Sequence, residues 1–89
     1  MSFSFIIYSL FKHNSQLKYI EIYQNNKNWG LRYEGEFVNG LREGNGVFYW
    51  EDGTRWEGPF KNNEMNGEGL YYDKEESFPV VYNNGEIVE

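Results

Sequence analysis

Eighty-nine residues allow one small domain, which on folding hides only roughly 60–65% of the surface its unfolded chain exposes, so any core must be thin. A fifth of the residues are aromatic and none is cysteine; this favours strands, excludes a disulfide framework, a thiolate nucleophile and a cysteine-based zinc site, and suits a cytoplasmic setting. The net charge of −6 is uneven, with four cations and one acid in residues 1–32 (+3) and four cations and thirteen acids in residues 33–89 (−9), which excludes nucleic acid as a partner because phosphate binding needs clustered Lys and Arg.

The chain opens on an apolar segment, residues 1–16. Its run from Phe3 to Phe11 is too short to cross a bilayer and lacks the basic leader and small-residue cleavage site of a secretory signal. Phe3, Phe5 and Ile7 alternate with Ser2 and Ser4 as in a strand, while Phe3, Ile7 and Leu10 also share a helical face, so the segment is expected to be a strand or a cap. His13 lies in a polar stretch with no second histidine and reads as a solvated loop residue rather than a ligand or base. Residues 17–32 follow as a capping strand, Leu17 to Tyr23, and then Gly30-Leu-Arg32, which echoes Gly53-Thr-Arg55 as the end of an eroded repeat.

From Tyr33 onward the chain repeats. A shift of 23 residues lays Tyr33-Glu-Gly-Glu-Phe37 on Trp56-Glu-Gly-Pro-Phe60, Gly44-Asn-Gly46 on Gly67-Glu-Gly69, and Val47-Phe48-Tyr49 on Leu70-Tyr71-Tyr72. The repeats run over 33–55 and 56–77, and a degenerate terminal copy, Phe78-Pro-Val-Val-Tyr82 with Asn84-Gly85, occupies 78–89. Its Pro79 and Val80 replace the glutamate and glycine of the other copies, so the sheet is expected to stop or open there.

This pattern resembles the MORN (membrane occupation and recognition nexus) repeat: aromatic-Glu-Gly-Glu-aromatic, Asn-Gly, Gly-x-Gly, then Asp-Gly before the next aromatic. The segment YEGEFVNGLREGNGVFYWEDGTRWEG follows it almost throughout. The resemblance implies contexts beside phosphoinositide kinases, at membrane junctions and in ciliary or cytoskeletal scaffolds.

Alternation puts Tyr33, Gly35 and Phe37 on one strand face and Arg32, Glu34 and Glu36 on the other. Asn39-Gly40 and Asp52-Gly53 tolerate the positive φ of tight turns, so each repeat becomes a hairpin. The predicted fold is all-β, an antiparallel meander of stacked β-hairpins forming an open, twisted, solenoid-like sheet. Stacking would align Tyr33, Trp56 and Phe78 in one row, Phe37, Phe60 and Tyr82 in a second, and Tyr49 with Tyr72 in a third. Gly35, Gly44, Gly46, Gly58, Gly67 and Gly69, with Phe37 and Phe60, are the structural residues of the repeat, the strand glycines admitting rings close to the backbone. Asn62 carries no such role and is expected to tolerate serine. On the polar face Arg32 and Arg55, and Glu34 and Glu57, would form cationic and anionic rows.

Functionally, nothing marks a catalytic pair among the acids, and neither a phosphate-binding loop nor a metal motif is present, so no enzyme activity, metal or cofactor is expected. The leading expectation is a scaffold for an unidentified protein partner, cytoplasmic and associated with membrane or cytoskeletal structures. Its candidate surface is Tyr33, Trp50, Trp56, Glu34 and Glu57, with Trp50 opposite Tyr49 beside the Asp52-Gly53 turn. One alternative is a phosphoinositide or membrane-surface module, disfavoured by the acidic repeats but open to the N-terminal segment through Lys12 and Lys18. Another is an aromatic cage for glycans or choline, against which the need of a small domain for its own aromatics counts. A weak homodimer through the C-terminal edge strand, opposed by Glu86 and Glu89, is also expected.

Overall fold

The computed structural model describes the backbone of residues 2–13, 16–25 and 28–88, and the side chains of residues 19–24 and 30–88. Nine strands follow in chain order: β1 (Ser2–His13), β2 (Gln16–Asn25), β3 (Asn28–Val38), β4 (Leu41–Tyr49), β5 (Arg55–Lys61), β6 (Glu64–Met65), β7 (Gly67–Tyr72), β8 (Ser77–Asn83) and β9 (Glu86–Ile87). They form one antiparallel sheet in which each strand pairs with its chain neighbour, except that β5 pairs with both β6 and β7. The sheet is not closed into a barrel, and no helix is present among the described residues. This is the open meander that the alternation and turn residues predict.

The turns explain the meander. Asn39 and Gly40, Asn62 and Asn63, and Asn84 and Gly85 all have positive φ, and they recur at spacings of 23 and 22 residues. Two consecutive left-handed residues match the twist of the strands they join, and Asn and Gly are the residues that adopt this conformation most readily. Asn62 is therefore constrained, with φ of 48°, contrary to the expectation that serine would be tolerated there. The inter-repeat loop is built differently: Asp52 Oδ1 accepts from the backbone N–H of Thr54 at 2.9 Å and from its hydroxyl at 2.6 Å.

The N-terminal segment extends the sheet. β1 pairs with β2 from Ser2 opposite Asn25 to Ser9 opposite Lys18, then shifts register before His13 opposite Gln16. His13 thus belongs to a strand backbone rather than a loop. The side chains of His13, Lys12 and Lys18, and those of the Phe3 to Phe11 run, lie outside the described residues, as do the expectations placed on them. At the other end the strand that carries Pro79 and Val80, expected to be the last, is followed by one more. β8 pairs with β7 from Ser77 to Tyr82, and β9 adds a short final strand.

The core is one column of rings on one face of a single-layered sheet. Tyr33 and Trp56 are fully buried, and Phe60 and Tyr82 nearly so. Ring centroids run Tyr33–Phe37 5.0 Å, Tyr33–Phe60 4.9 Å, Trp56–Phe60 5.7 Å and Trp56–Tyr82 5.0 Å, all close to edge-to-face. The two expected rows of rings therefore interlock as a single zigzag. Glycine is the cause: Gly35, Gly46 and Gly58 stand opposite one another across three strands. Tyr33 lies over Gly35 and Gly46, and Trp56 over Gly58 and Gly69, where an added Cβ would come within 2.5 Å of the indole. Rings lying flat on this floor reach into the next strand pair.

Phe78, expected in the buried row, is 42% exposed. In the first two copies the residue two places after the leading aromatic is glycine, whereas here it is Val80, whose side chain fills the place where the ring would lie. Val80 packs against the core itself, and its carbonyl accepts a hydrogen bond from Trp56 Nε1 at 3.1 Å.

Candidate functional site

The five residues of the expected interaction surface separate into three places. Tyr33 and Trp56 are at 0% exposure and present no surface, because the glycine floor draws them into the core. Glu34 and Glu57 lie on the opposite face of the sheet. Trp50 is half-buried at the end of β4 on the core face, beside Phe48 at 5.2 Å and Tyr71 at 5.9 Å, and so on the other side from Tyr49.

Glu34 and Glu57 line an open trough of about 620 Å³ with Glu36, Asn45, Val47, Leu70 and Tyr72, floored by Gly35, Gly46 and Gly58. Strand register explains its composition. Glu34, Val47, Glu57, Leu70 and Pro79 stand opposite one another in a line across β3, β4, β5, β7 and β8, and Tyr49, Arg55, Tyr72 and Ser77 form the adjacent line. Carboxylates thus come from the first strand of each repeat and apolar side chains from the second. Leu70 is 42% exposed in this row.

The expected cationic and anionic rows are consequently interleaved with uncharged residues. Arg55 stacks on Tyr72 at 4.0 Å and Arg32 on Tyr23 at 5.1 Å, rather than bridging to the glutamates. Tyr49 and Tyr72 do not stack on each other, since Arg55 stands between them in register. The Tyr49 hydroxyl donates to Glu34 at 3.4 Å, and burial first, then the negative charge of Glu34, raises its pKa. Glu36 accepts from the backbone N–H of Asn45 at 2.6 Å and covers Gly44. In the second repeat Pro59 takes its place and covers Gly67.

On the core face Arg42 closes the aromatic column from above. Its Nε and Nη2 donate to Glu21 at 3.0 and 2.9 Å, and its guanidinium lies 5.5 Å from the Tyr33 centroid and 5.2 Å from that of Phe48. Burial pushes the Tyr33 hydroxyl well above the ordinary tyrosine range while it donates to the Glu36 carbonyl at 2.9 Å.

Sequence reasoning missed Val47, Leu70 and Tyr72 as trough residues, although the 23-residue shift pairs Val47 with Leu70 and Tyr49 with Tyr72 and could have marked them. It also missed Arg42, for which the same shift gives Met65 and hence no signal. Among the described residues no group of three or more His, Cys, Asp or Glu side chains is placed to hold a metal ion.

The sequence profile of the MORN repeat matches residues 33–55 and 56–75. No curated protein matches the chain. The matched stretches are the hairpin units whose leading rings, Tyr33 and Trp56, lie on the glycine floor, and this chain therefore carries two MORN repeats.

Proposed function

We propose that this chain is a non-enzymatic scaffold module that binds a partner protein through the trough. The observation that carries this reading is the division of labour between the faces. The repeat buries its leading aromatics in its own column, while the opposite face presents Glu34, Glu57, Val47, Leu70 and Tyr72 in register on a glycine floor. Rows of carboxylate and apolar side chains suit a protein segment that carries both cationic and apolar groups. They do not suit an anionic headgroup, which rewards basic clusters. The cytoplasmic face of a membrane junction or a cytoskeletal structure, contexts that the family suggests, would be the setting.

The test uses the full chain on beads and, in the same preparation, with vesicles containing phosphoinositide. Saturable retention of a protein partner, lost in the Glu34→Arg/Glu57→Arg variant and without flotation, is the expected result. Salt-sensitive flotation with no protein retained would replace the scaffold by a membrane-binding module.

A further inference from the structure

A second set of rings lies outside the buried column. Phe48, Trp50, Tyr71 and Phe78 form a ladder with successive centroids 5.2, 5.9 and 5.1 Å apart, all half-buried except Phe78, which is exposed. Beside it, at the end of the sheet where Tyr49, Arg55, Tyr72 and Ser77 stand in register, two loops come together, Trp50–Thr54 and Asp73–Glu76. They carry Glu51, Asp52, Asp73, Glu75 and Glu76 against Lys74, and every one of these side chains is exposed.

We propose that this ladder and its acidic rim are a docking surface for a basic, apolar-containing segment of a partner protein, with arginine side chains over the rings and the rim balancing their charge. The proposal rests on the reading of the chain as a protein-binding module but assigns a surface separate from the trough. Three observations argue for it. First, wherever this protein brings an arginine near its rings, the guanidinium lies over one, as Arg55 does on Tyr72, Arg42 on Phe48 and Arg32 on Tyr23. Among the described residues no cation lies over Trp50, Tyr71 or Phe78; Trp50 and Tyr71 are half-buried against the core and Phe78 is exposed, so an incoming guanidinium would meet the outer side of the ladder. Second, Phe78 is displaced from the core by Val80 and presents apolar area at the far end of the ladder. Third, the rim keeps its charge: the Asp52 carboxylate accepts from the hydroxyl and N–H of Thr54, and that of Asp73 from the N–H groups of Glu75 and Glu76, and these bonds hold both below the usual carboxylate range. An aromatic face with an acidic border matches a cationic segment in both shape and sign.

The experiment titrates the full chain with a nine-residue peptide of alternating arginine and leucine, and with counterparts in which glutamate replaces arginine or serine replaces leucine. The readouts are calorimetry and tryptophan emission. The arginine–leucine peptide should bind and shift the emission, and the other two should bind at least tenfold more weakly. Trp50→Ala should lower its affinity at least tenfold. Glu51→Gln/Glu75→Gln/Glu76→Gln, which alters only exposed loop residues, should lower it severalfold and flatten its salt dependence. If Trp50→Ala melts early, Trp50→Leu and the loop variant carry the test.

Equal binding of the glutamate peptide, or affinity unchanged in both the Trp50 and loop variants, would overturn the proposal. Loss of binding only in Glu34→Gln/Glu57→Gln would move the segment to the trough, overturning this surface while leaving the module intact. Failure of all three peptides to bind would also overturn it, while partner retention by the trough would be judged separately.

Discussion

Arg42 holds Glu21 through two guanidinium nitrogens, with a closest approach of 2.8 Å, although the two residues stand 21 apart in sequence and on strands separated by β3. Glu21 is 6% exposed and pairs in register with Tyr33, so the ion pair lies across the first buried ring of the column. Arg42 also fastens the next turn: its N–H donates to Asn63 Oδ1 and its carbonyl accepts from Asn63 N–H at 2.9 Å.

Removing one partner of such a pair leaves a charge in a place from which water is largely excluded. Glu21→Leu or Arg42→Met alone should destabilise the domain by about 3 kcal/mol, whereas Glu21→Leu/Arg42→Met should recover much of the loss. Urea unfolding of the four proteins forms a double-mutant cycle. Additive losses would mean that the two side chains act independently.

Gly58→Val should cost about 1–3 kcal/mol, because the new side chain would enter the Trp56 ring and force it off the backbone. Glu57→Val, one residue away but directed into the trough, is the comparison and should change the melting temperature little. Asn62→Ser should cost about 1 kcal/mol through its left-handed backbone, and Asn62→Gly nearly nothing. Equal melting of Gly58→Val and Glu57→Val would remove the flat-ring account of the repeat.

Burial raises the pKa of Tyr33, Tyr49 and Tyr82 above the ordinary 10.0. A group whose folded pKa is raised binds its proton more tightly in the folded state. The stability it confers is complete below pH 10 and is lost as pH rises from there through the folded values. Ultraviolet titration should show tyrosines ionising late, with loss of near-ultraviolet dichroism at the same pH. Tyr33→Phe should remove part of that alkaline dependence. Normal, reversible titration of every tyrosine in the folded protein would contradict the buried column.

Self-association through the C-terminal edge should be weak and concentration-dependent. β9 pairs there with Tyr82 and Asn83, Val88 N–H donates to the Val81 carbonyl at 2.8 Å, and Pro79 has no N–H to offer. A second copy would meet mainly β9, where Glu86 would face its own counterpart, so Glu86→Gln should tighten the dimer. Analytical ultracentrifugation over a wide concentration range decides this, and a strict monomer for both proteins would exclude the edge.

The strand pattern, the Asn39-Gly40 turn and the glycine floor could all be read from the 23-residue offset, because repetition places equivalent residues in equivalent environments. What could not be read depends on distances across strands. The offset aligns Tyr33, Trp56 and Phe78 but does not reveal that a ring can leave its row when the residue two places on is Val80. Nor does it separate a buried aromatic from one that presents surface: Trp56 and Trp50 are both tryptophans near a turn, and only the glycine beneath Trp56 distinguishes them. Arg42 and Glu21 have no repeat partners, and their pairing arises only once β2 lies beside β3.

The glycine floor also determines how thick the protein is at its centre. Beneath the trough, Gly58 separates whatever occupies that face from the Trp56 indole on the other by a single layer of peptide. Trp56 is therefore a built-in optical reporter: a partner seated in the trough would change the electric field at the indole and shift its emission without touching it. Trp50, at the rim of the opposite face, would report by direct contact. Replacing each with phenylalanine in turn would identify which side of the sheet a given partner occupies.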